Sequence, residues 1–536
     1  MDHYLQMFVR LALVAFFAAT SVGAIAAPAS PDCSSSGGNV ACTRQGAVRG
    51  VEEAATIAFK GIPYARPPVG ALRWRRPEPP ASWQGVRDGT RFGPICPQMV
   101  GTTVQGDEDC LTLNVWRPAK LTQEKLPVMV WLHGGGNYQL SGQGTSSFDS
   151  VAYNGHALVP HGVVFVSYNL RLGALGFLTH PALDAESADH ISGNYGSQDQ
   201  VAMLHWVHDN IASFGGDPQR VFLFGTSAGG GNICALMTSP LTHGLIRGVA
   251  MESSVPSGCE LTTHAQAEAG TGQRVTHLLG CDIARDVAAC LRGKTPQEIV
   301  SVLPGKFTVM SRDFGPNVDG HVFPEQPIKA IVEHGAPVRS AIIGNTARET
   351  WQWADSAGVV TDAISYAAAI DRVFGAEVRE RIIAAYPLSA YPTPRTAFAQ
   401  LTTDALFTCQ SVRVAHALAR SGATVYRYLF DHVTENDAEM RAVGPVHTAE
   451  HQFFFNWEGR YTPTASDLAV QRQLLGYWTR MATDLNPNGD DALTWPATRE
   501  GRDDYLEIGE TLAIKNGPSS ARCSFWDTIA LPSPHM

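Results

Sequence analysis

Residues 221–230 constrain the fold more than any other part of the chain, because they join an apolar run directly to a glycine-flanked serine. The apolar residues 221–224 are followed by Gly-Thr-Ser-Ala-Gly over 225–229, a G-x-S-x-G sequence, and then by a helical pattern. The glycines permit a sharp, strained turn that lifts the hydroxyl of Ser227 above the edge of a sheet. The helix that follows would direct the positive end of its dipole, and the N–H of Ala228, toward an oxygen bound there. This combination indicates a reactive serine.

Other short, nearly continuous apolar runs recur along the chain, as in strands buried on both faces of a parallel sheet. They alternate with helical patterns over 197–214 and 228–237, which predicts an α/β fold with a mostly parallel sheet. Residues 46–59 instead predict an antiparallel hairpin at the sheet edge. Segments 262–306 and 360–400 have the pattern of helical insertions, expected over the carboxyl ends of the strands, where ligands bind in such folds. The apolar runs cover 127–132, 163–168, 221–224, 248–251, 341–343 and 425–430.

The composition is that of a large globular protein. The chain has 536 residues, of which 44% are hydrophobic and 17% charged. No linker rich in Pro, Ser and Gly separates two halves and no repeat of fixed period occurs, so we expect a single domain over 27–536. The net charge is −10, and acidic and basic residues are mixed along the chain. Nothing in this pattern indicates a nucleic-acid partner, and the oligomeric state stays open.

Residues 1–26 have the pattern of a secretory signal peptide. Arg10 precedes the apolar run 11–17, and the segment ends in an A-x-A cleavage site at 24–26. A membrane anchor is the alternative, but the run is short for a bilayer span. We therefore expect an exported chain that begins near Ala27 and has no membrane span. The absence of N-x-S/T sequons favours a bacterial periplasmic or extracellular location.

Ten cysteines in an exported chain favour disulfide bonds. Three pairs lie close together in sequence, and a fourth would tie the C-terminal segment to the body of the protein. Spacing alone does not fix the connectivity, and Cys234 and Cys259 could form either a bridge or two buried thiols. No Cys/His cluster has the spacing of metal ligands, so we expect no metal site. The suggested pairs are Cys33–Cys42, Cys96–Cys110, Cys281–Cys290 and Cys409–Cys523.

A second glycine run, His-Gly-Gly-Gly over 133–136, follows the apolar run 127–132. Glycines at the end of a strand let main-chain N–H groups approach a ligand oxygen without hindrance from a side chain. Upstream of a reactive serine, H-G-G-G completes an oxyanion hole. The expected donors are the N–H groups of Gly135, Gly136 and Ala228.

Together these motifs resemble those of the type-B carboxylesterase and cholinesterase family of α/β-hydrolases, over essentially all of 27–536. The resemblance implies a large, mostly parallel sheet with helices on both faces and helical insertions over the active site. It also implies hydrolysis of small-molecule carboxylic esters without a cofactor. Four further segments carry the resemblance: 108–116 (Glu-Asp-Cys-Leu-Thr-Leu-Asn-Val-Trp), 168–173, 193–196 and 210–218.

The resemblance locates the partners of the serine. The family acid lies in a G-x-N-x-x-E-like motif after a strand, which 344–349 matches, and the family histidine lies in G-x-x-H-x-x-E, which 444–450 matches. The implied triad is Ser227, Glu349 and His447, in the chain order expected for this fold. His447 would act as general base, Glu349 would orient it, and an acyl-enzyme would form on Ser227.

From the residues alone, other candidates remain for the base and the acid. The chain has 18 histidines, and His432 and His451 are the nearest rivals of His447. Asp355 and Asp319 rival Glu349, although Asp319 lies in a turn that resembles a structural motif of the family. Glu450 is expected to lie next to the triad residues and to support them without taking part in the reaction.

Three departures from cholinesterases point away from choline esters. Thr226 precedes the serine where cholinesterases have Glu, only 13 residues separate Cys96 from Cys110, and residues 137–142 depart from the usual aromatic-first pattern. Arg348 also stands where the family commonly has an acid. We therefore expect a preference for neutral or anionic esters. The candidate pocket residues are Tyr138, Phe314, Arg348, Trp351 and Trp353, with Phe453 as a further wall.

Two alternatives to this function remain open. Some relatives in the superfamily are adhesion or scaffold proteins that lack the serine, and a triad can also hydrolyse amides or lactones.

Overall fold

The computed structural model does not describe every residue of the chain. The predicted signal peptide, 1–26, and Cys33 lie outside the described residues. The structure describes 38–531 except for 146–150, 255–258, 307, 310–312, 458–460, 491, 500–501 and 518. In these described parts, no helix combines the length and apolar character needed to cross a bilayer.

An eleven-stranded sheet forms the centre of the molecule, with the strand order β1-β2-β3-β5-β4-β6-β7-β8-β9-β10-β11. The seven adjacent strands from β5 to β10 run parallel, whereas β1, β3 and β11 are antiparallel to their neighbours. This confirms the predicted α/β fold with a mostly parallel sheet. The strands are β1 Val51–Glu53, β2 Thr56–Pro63, β3 Thr112–Pro118, β4 Leu126–Leu132, β5 Val164–Tyr168, β6 Gly216–Thr226, β7 Gly248–Glu252, β8 Ser340–Thr346, β9 Thr424–Phe430, β10 Asp504–Ile508 and β11 Leu512–Asn516.

Helices cover both faces of the sheet, and the insertions 262–306 and 360–400 are helical as predicted, containing α5 to α8 and α10 to α12. The helices are α1 Gly173–Phe177, α2 Pro181–Asp184, α3 Tyr195–Asn210, α4 Ala228–Thr238, α5 His264–Ala267, α6 Gln273–Leu278, α7 Val287–Arg292, α8 Pro296–Val302, α9 Pro327–His334, α10 Ala363–Phe374, α11 Arg379–Ala385, α12 Pro394–Thr403, α13 Cys409–Arg420, α14 Ala438–Val443, α15 Ala465–Asp484 and α16 Ser519–Trp526.

Only part of the predicted 46–59 hairpin forms at the sheet edge. Ala47–Arg49 pairs with Val40–Cys42 and Val86–Asp88 in a separate small sheet, and the edge hairpin consists of β1 and β2. The chain passes from one sheet to the other at Gly50, whose α-carbon packs so tightly that an added Cβ would lie 2.6 Å from the Ala58 carbonyl oxygen. The apolar pattern did not reveal this change of partner.

The central strands are apolar on both faces because each face has its own core. In β4, Val128, Val130 and Leu132 belong to one buried cluster, and Met129 and Trp131 belong to the cluster on the other face. Side chains alternate along a strand, so a strand buried on both faces needs an unbroken apolar run. A third cluster lies within the helical insertion, where α10 and α12 pack with α16.

Four disulfide bonds are formed among the described cysteines. Cys96–Cys110, Cys281–Cys290 and Cys409–Cys523 agree with the pairs suggested by spacing, and the Cys33–Cys42 pair stays a prediction. Cys234 and Cys259, which the sequence left open, form a bridge with a Cα–Cα distance of 5.7 Å. Cys409–Cys523 connects α13 to α16 and so fixes the C-terminal helix against the insertion.

We expect the Cys234–Cys259 bridge to contribute to stability, because it closes a loop of 25 residues in the unfolded chain. Cys234→Ala/Cys259→Ala should lower the free energy of unfolding by about 3 kcal/mol, measured by urea denaturation. Peptide mapping of the unreduced protein should recover the bridged peptide pair. Alkylation of either cysteine without prior reduction would contradict this assignment.

Candidate active site

Ser227 lies in a strained turn between β6 and α4. Its backbone has φ 57° and ψ −124°, a region that residues with a side chain rarely adopt. The turn is tight: a Cβ on Gly225 or Gly229 would lie 2.4 or 2.0 Å from the Leu132 carbonyl oxygen at the end of β4. Glycine is therefore required at both flanking positions. The structure thus forms the strand–turn–helix arrangement that the sequence predicted.

The three residues of the predicted triad are in contact. The Nε2 atom of His447 lies 2.8 Å from Ser227 Oγ, and its Nδ1 atom contacts Glu349 Oε2. The second carboxylate oxygen of Glu349 accepts a hydrogen bond of 2.7 Å from the Thr346 N–H, which fixes the carboxylate at the end of β8. Glu349 is fully buried, and Ser227 and His447 are 8% and 4% exposed. This geometry suits transfer of the serine proton to an oriented imidazole.

A backbone contact brings the acid and histidine segments together. Glu349 follows β8, whereas His447 lies in the segment after α14, 98 residues later. Between them, Arg348 and Val446 form an isolated parallel bridge, and the Arg348 N–H donates to the Pro445 carbonyl at 3.0 Å. Because each catalytic candidate follows its bridge residue directly, this contact sets the spacing between carboxylate and imidazole.

The glycine run after β4 presents free N–H groups beside Ser227. Gly135 and Gly136 have φ values of 85° and 61°, and their N–H groups donate to no acceptor among the residues described. The Ala228 N–H belongs to the first turn of α4, where helical N–H groups lack intrahelical partners. A hydrogen bond of 2.8 Å from Asn232 of α4 to the Asn137 side chain ties the glycine turn to the serine helix. The sequence analysis did not single out these two asparagines. Their amide side chains are the feature of the sequence that could have pointed to this contact.

The rival histidines have other partners. His432 is buried and its Nε2 lies 2.7 Å from Asp467 Oδ1, away from the serine. His451 is also buried, with Nδ1 against the Thr448 carbonyl. Burial lowers the pKa of His451 to about 4, so that it stays neutral.

The rival acids also have structural roles. The Oδ1 atom of Asp319 accepts hydrogen bonds from three successive main-chain N–H groups, at positions 321 to 323, and so closes a turn. Asp355 forms an ion pair of 3.2 Å with Arg395, and its side chain is half-exposed. Of the acids weighed from the sequence, Glu349 is therefore the one that contacts His447.

Two further buried carboxyl groups lie behind the triad. Glu450 Oε1 accepts hydrogen bonds from Ser253 Oγ and from Tyr428 OH, the latter at 3.1 Å. Burial, and then the charge of Glu349, raises the pKa of Glu450 to about 8. Burial and the Glu450 charge likewise raise the pKa of Glu252, at the end of β7, well above its usual range. Burial therefore disfavours the charged form of both groups, and Glu450 holds its proton near neutral pH. Sequence reasoning anticipated Glu450 but missed Glu252.

Aromatic rings form the walls around the imidazole. Trp353, a predicted pocket residue, packs edge-to-face on His447 with ring centroids 4.7 Å apart. Phe407, which the sequence analysis did not single out, packs on it at 5.4 Å from the segment between α12 and α13. The Tyr138 ring packs on the α-carbons of Gly136 and Gly305, where an added Cβ would lie 2.5 and 2.2 Å from its ring carbons. Tyr138 therefore covers the glycine turn.

The other predicted pocket residues make different contacts. Phe314 and Phe453 are fully buried within the cores, on opposite sides of the sheet. Trp351 stacks under the guanidinium of Arg395, 3.9 Å from the ring centroid. Arg348 directs Nη1 to Gln400 Oε1 and to the Ala347 carbonyl, each at 2.9 Å. It lines a cavity whose walls include none of the three triad residues.

One cluster of metal-ligating groups occurs in the described part of the chain, formed by Glu325, Glu333 and His334 on the surface. Lys329 forms ion pairs with both glutamates of this cluster, at 2.9 and 3.5 Å. The cluster is thus a set of surface ion pairs.

The chain is similar to esterases along most of its length. The model of the carboxylesterase family matches residues 38–526. The fumonisin B1 esterase of Sphingopyxis macrogoltabida is 33% identical, over 89% of this chain and 87% of that protein. The para-nitrobenzyl esterase of Bacillus subtilis (strain 168) is 32% identical over 90% of this chain and 97% of that protein. The acetylcholinesterase of Bungarus fasciatus is 30% identical over 90% of this chain and 85% of that protein.

Comparison with solved structures gives the same result. A solved structure of a PNB esterase superposes with a TM-score of 0.78 at 30% identity, covering 91% of this chain and 99% of that chain. With the family model and the curated relatives, this shows that the chain belongs to the carboxylesterase family and is a carboxylic ester hydrolase.

Proposed function

We propose that the chain hydrolyses carboxylic esters through an acyl-enzyme on Ser227. The observation that carries the proposal is the 2.8 Å contact between His447 Nε2 and Ser227 Oγ, with Glu349 at the other ring nitrogen. His447 takes the hydroxyl proton while Oγ bonds to the ester carbon, and the carbonyl electron pair moves onto oxygen. When the tetrahedral intermediate collapses, the alcohol leaves with the proton from His447. Water then attacks the acyl group in the same way and releases the acid.

The N–H groups of Gly135, Gly136 and Ala228 stabilise the negative oxygen of each tetrahedral intermediate in this mechanism. The support for this role is that the two glycine N–H groups have no acceptor in the described residues and that Ala228 begins α4 beside the serine. Donors fixed before the reaction need no reorganisation as charge develops, and loss of one typically lowers the rate roughly 100- to 1,000-fold.

The preferred substrates are neutral or anionic esters rather than choline esters. The support comes from the uncharged Thr226, which directly precedes the nucleophile in the sequence. The name of one relative, para-nitrobenzyl esterase, agrees with this class, because a para-nitrobenzyl group is uncharged. Arg348 adds little support, because its guanidinium is bound to Gln400 and lines another cavity.

The enzyme acts outside the cytoplasm, after removal of 1–26, as one domain over 27–536. The sequence pattern of 1–26 supports export. The four disulfide bonds among the described cysteines also support it, since such bonds persist in oxidising compartments.

Ser227→Ala should abolish ester hydrolysis and leave the fold intact, because only the nucleophile is removed. An organophosphonate probe should label the wild type once, at Ser227, and should not label the variant, as measured by mass spectrometry. Circular dichroism and melting temperature serve as the fold controls. Activity above a few per cent in the variant, or labelling elsewhere, would refute the proposed nucleophile.

Glu349→Gln should lower kcat by about 10³- to 10⁴-fold with little change in KM, because the imidazole loses the carboxylate that orients it. Asp355→Asn is the matched control, since that half-exposed carboxylate pairs with Arg395, and its kcat should stay near wild type. Steady-state kinetics on one chromogenic ester compares the two. A greater loss in Asp355→Asn would show that the wrong acid was chosen.

The charge preference should depend on residue 226. Thr226→Glu should raise kcat/KM for a trimethylammonium ester about tenfold relative to a matched carboxylate ester, because one charge in a partly desolvated site is worth on the order of 1 to 4 kcal/mol. Thr226→Gln controls for size without charge and should keep the wild-type ranking. Preference of the wild type for the cationic ester, or an unchanged ranking in Thr226→Glu, would contradict the hypothesis.

A further inference from the structure

One buried hydrogen bond joins the glycine turn after β4 to the helix that begins at the reactive serine. The Nδ2 atom of Asn232, in α4, donates to Oδ1 of Asn137 at 2.8 Å, and the two residues are 3% and 5% exposed. Among the residues that the structure describes, it is the one hydrogen bond between α4 and residues 133–137. A buried amide that loses its partner has no water to replace it, so this bond is costly to break. The pair is therefore a fixed link between two parts of the active site.

The position of Asn232 in α4 explains why its amide reaches the turn. Asn232 follows Ala228 by four residues, so the two lie on one face of the helix, one turn apart. Helical side chains lean toward the N-terminus of their helix, which directs the Asn232 amide toward the end that presents the Ala228 N–H. The same helix thus supplies one proposed oxyanion donor and a hydrogen bond to the segment that supplies the other two.

Asn137 is held through both its main chain and its side chain. Its φ is 62°, in the left-handed region that asparagine tolerates better than most residues, and it directly follows Gly135 and Gly136. Its carbonyl accepts a hydrogen bond of 2.8 Å from the Gly173 N–H at the start of α1. Because Gly136 is its direct neighbour, a displacement of Asn137 would rotate the Gly136 N–H.

The turn that contains Asn137 is itself closed by hydrogen bonds. The Gly135 carbonyl accepts from the main-chain N–H groups of Tyr138 and Gln139, at 3.0 and 3.1 Å. In a trans peptide unit the carbonyl and the N–H point to opposite sides, so the Gly136 N–H points away from the interior of the turn. Asn137 lies between Gly136 and Tyr138, within the closed turn. Its side-chain bond therefore fixes the whole turn, with its outward N–H, against α4.

We propose that Asn232 and Asn137 are positioning residues for the oxyanion hole, and that their hydrogen bond holds the glycine N–H groups at a fixed distance from the Ala228 N–H. The inference rests on the proposed function, because it assigns the pair a role in stabilising the tetrahedral intermediate. The pair acts through the main-chain N–H groups and not on the substrate itself. Donors fixed in advance stabilise charge without reorganising, and a misplacement of about 1 Å can lower the rate about 100-fold.

Asn232→Ala and Asn137→Gly test the proposal. Alanine suits the interior of a helix and glycine suits a positive φ, so each variant removes the hydrogen bond with little backbone strain. Each should lower kcat for a neutral chromogenic ester about 10- to 100-fold and leave KM within about twofold of wild type. Acylation and deacylation both pass through a negative tetrahedral intermediate, so kcat falls whichever step limits it. The double variant should be no slower than the slower single variant, since both substitutions remove the same bond.

Inhibition by a trifluoromethyl ketone is a readout that a loss of stability alone would not change. Such a ketone forms a negative tetrahedral adduct with the serine, so its inhibition constant should rise in each variant by about the factor by which kcat/KM falls. Ser239→Ala is the matched control, because Ser239 directly follows α4, is buried and donates a hydrogen bond of 2.6 Å to the Val322 carbonyl. It should lower the melting temperature and leave kcat and ketone inhibition as in the wild type.

Melting temperatures establish that the variants are folded at the assay temperature, and either single variant decides alone if the other does not fold. Unchanged kcat, a rise in KM alone, additive losses in the double variant, or an equal fall in kcat in Ser239→Ala would overturn the proposal. A wild type that the organophosphonate does not label at Ser227 would instead contradict the proposed nucleophile. The two proposals therefore fail separately.

Discussion

The close packing of the Ser227 turn against the end of β4 is the constraint on which the rest of the site depends. Gly225 and Gly229 both lie against the Leu132 carbonyl, too close for any side chain. The turn can keep its positive φ only because β4 and β6 are neighbouring parallel strands with an apolar core on each face. Strain of this kind persists when the surrounding structure fixes it. The large core therefore holds Ser227 in its strained backbone conformation.

The parallel arrangement of the strands also explains why the separate motifs lie close together. Carboxyl ends of parallel strands meet at one edge of a sheet, so the glycine turn after β4, Ser227 after β6 and Glu349 after β8 are brought together by topology alone. His447 comes from beyond β9 and needs a further contact, which the bridge between Arg348 and Val446 provides. The geometry of the proposed triad thus follows from the order of the strands and from one backbone bridge.

The sequence was sufficient for features that depend on neighbouring residues in the chain. The apolar runs predicted the parallel strands, and the glycine pattern around Ser227 predicted the turn, because both follow from local stereochemistry. The resemblance to a family was needed to select Glu349 and His447 among many acids and histidines, since no local property marks them. The contact of Phe407 with His447 escaped prediction, and the sequence left open whether Cys234 and Cys259 form a bridge, because both contacts depend on how the chain packs.

The residue at position 226 matters because three buried carboxyl groups already lie close together in and beside the triad. Glu349, Glu450 and Glu252 all lie buried in one region, and three carboxylates there would repel one another strongly. Burial and repulsion between the carboxyl groups raise the pKa of Glu450 to about 8 and the pKa of Glu252 well above its usual range, which disfavours negative charge behind the triad. An acidic residue at position 226 would place a negative charge directly beside Ser227. Threonine adds no charge at this position, and this is the basis of the proposed preference for neutral or anionic esters.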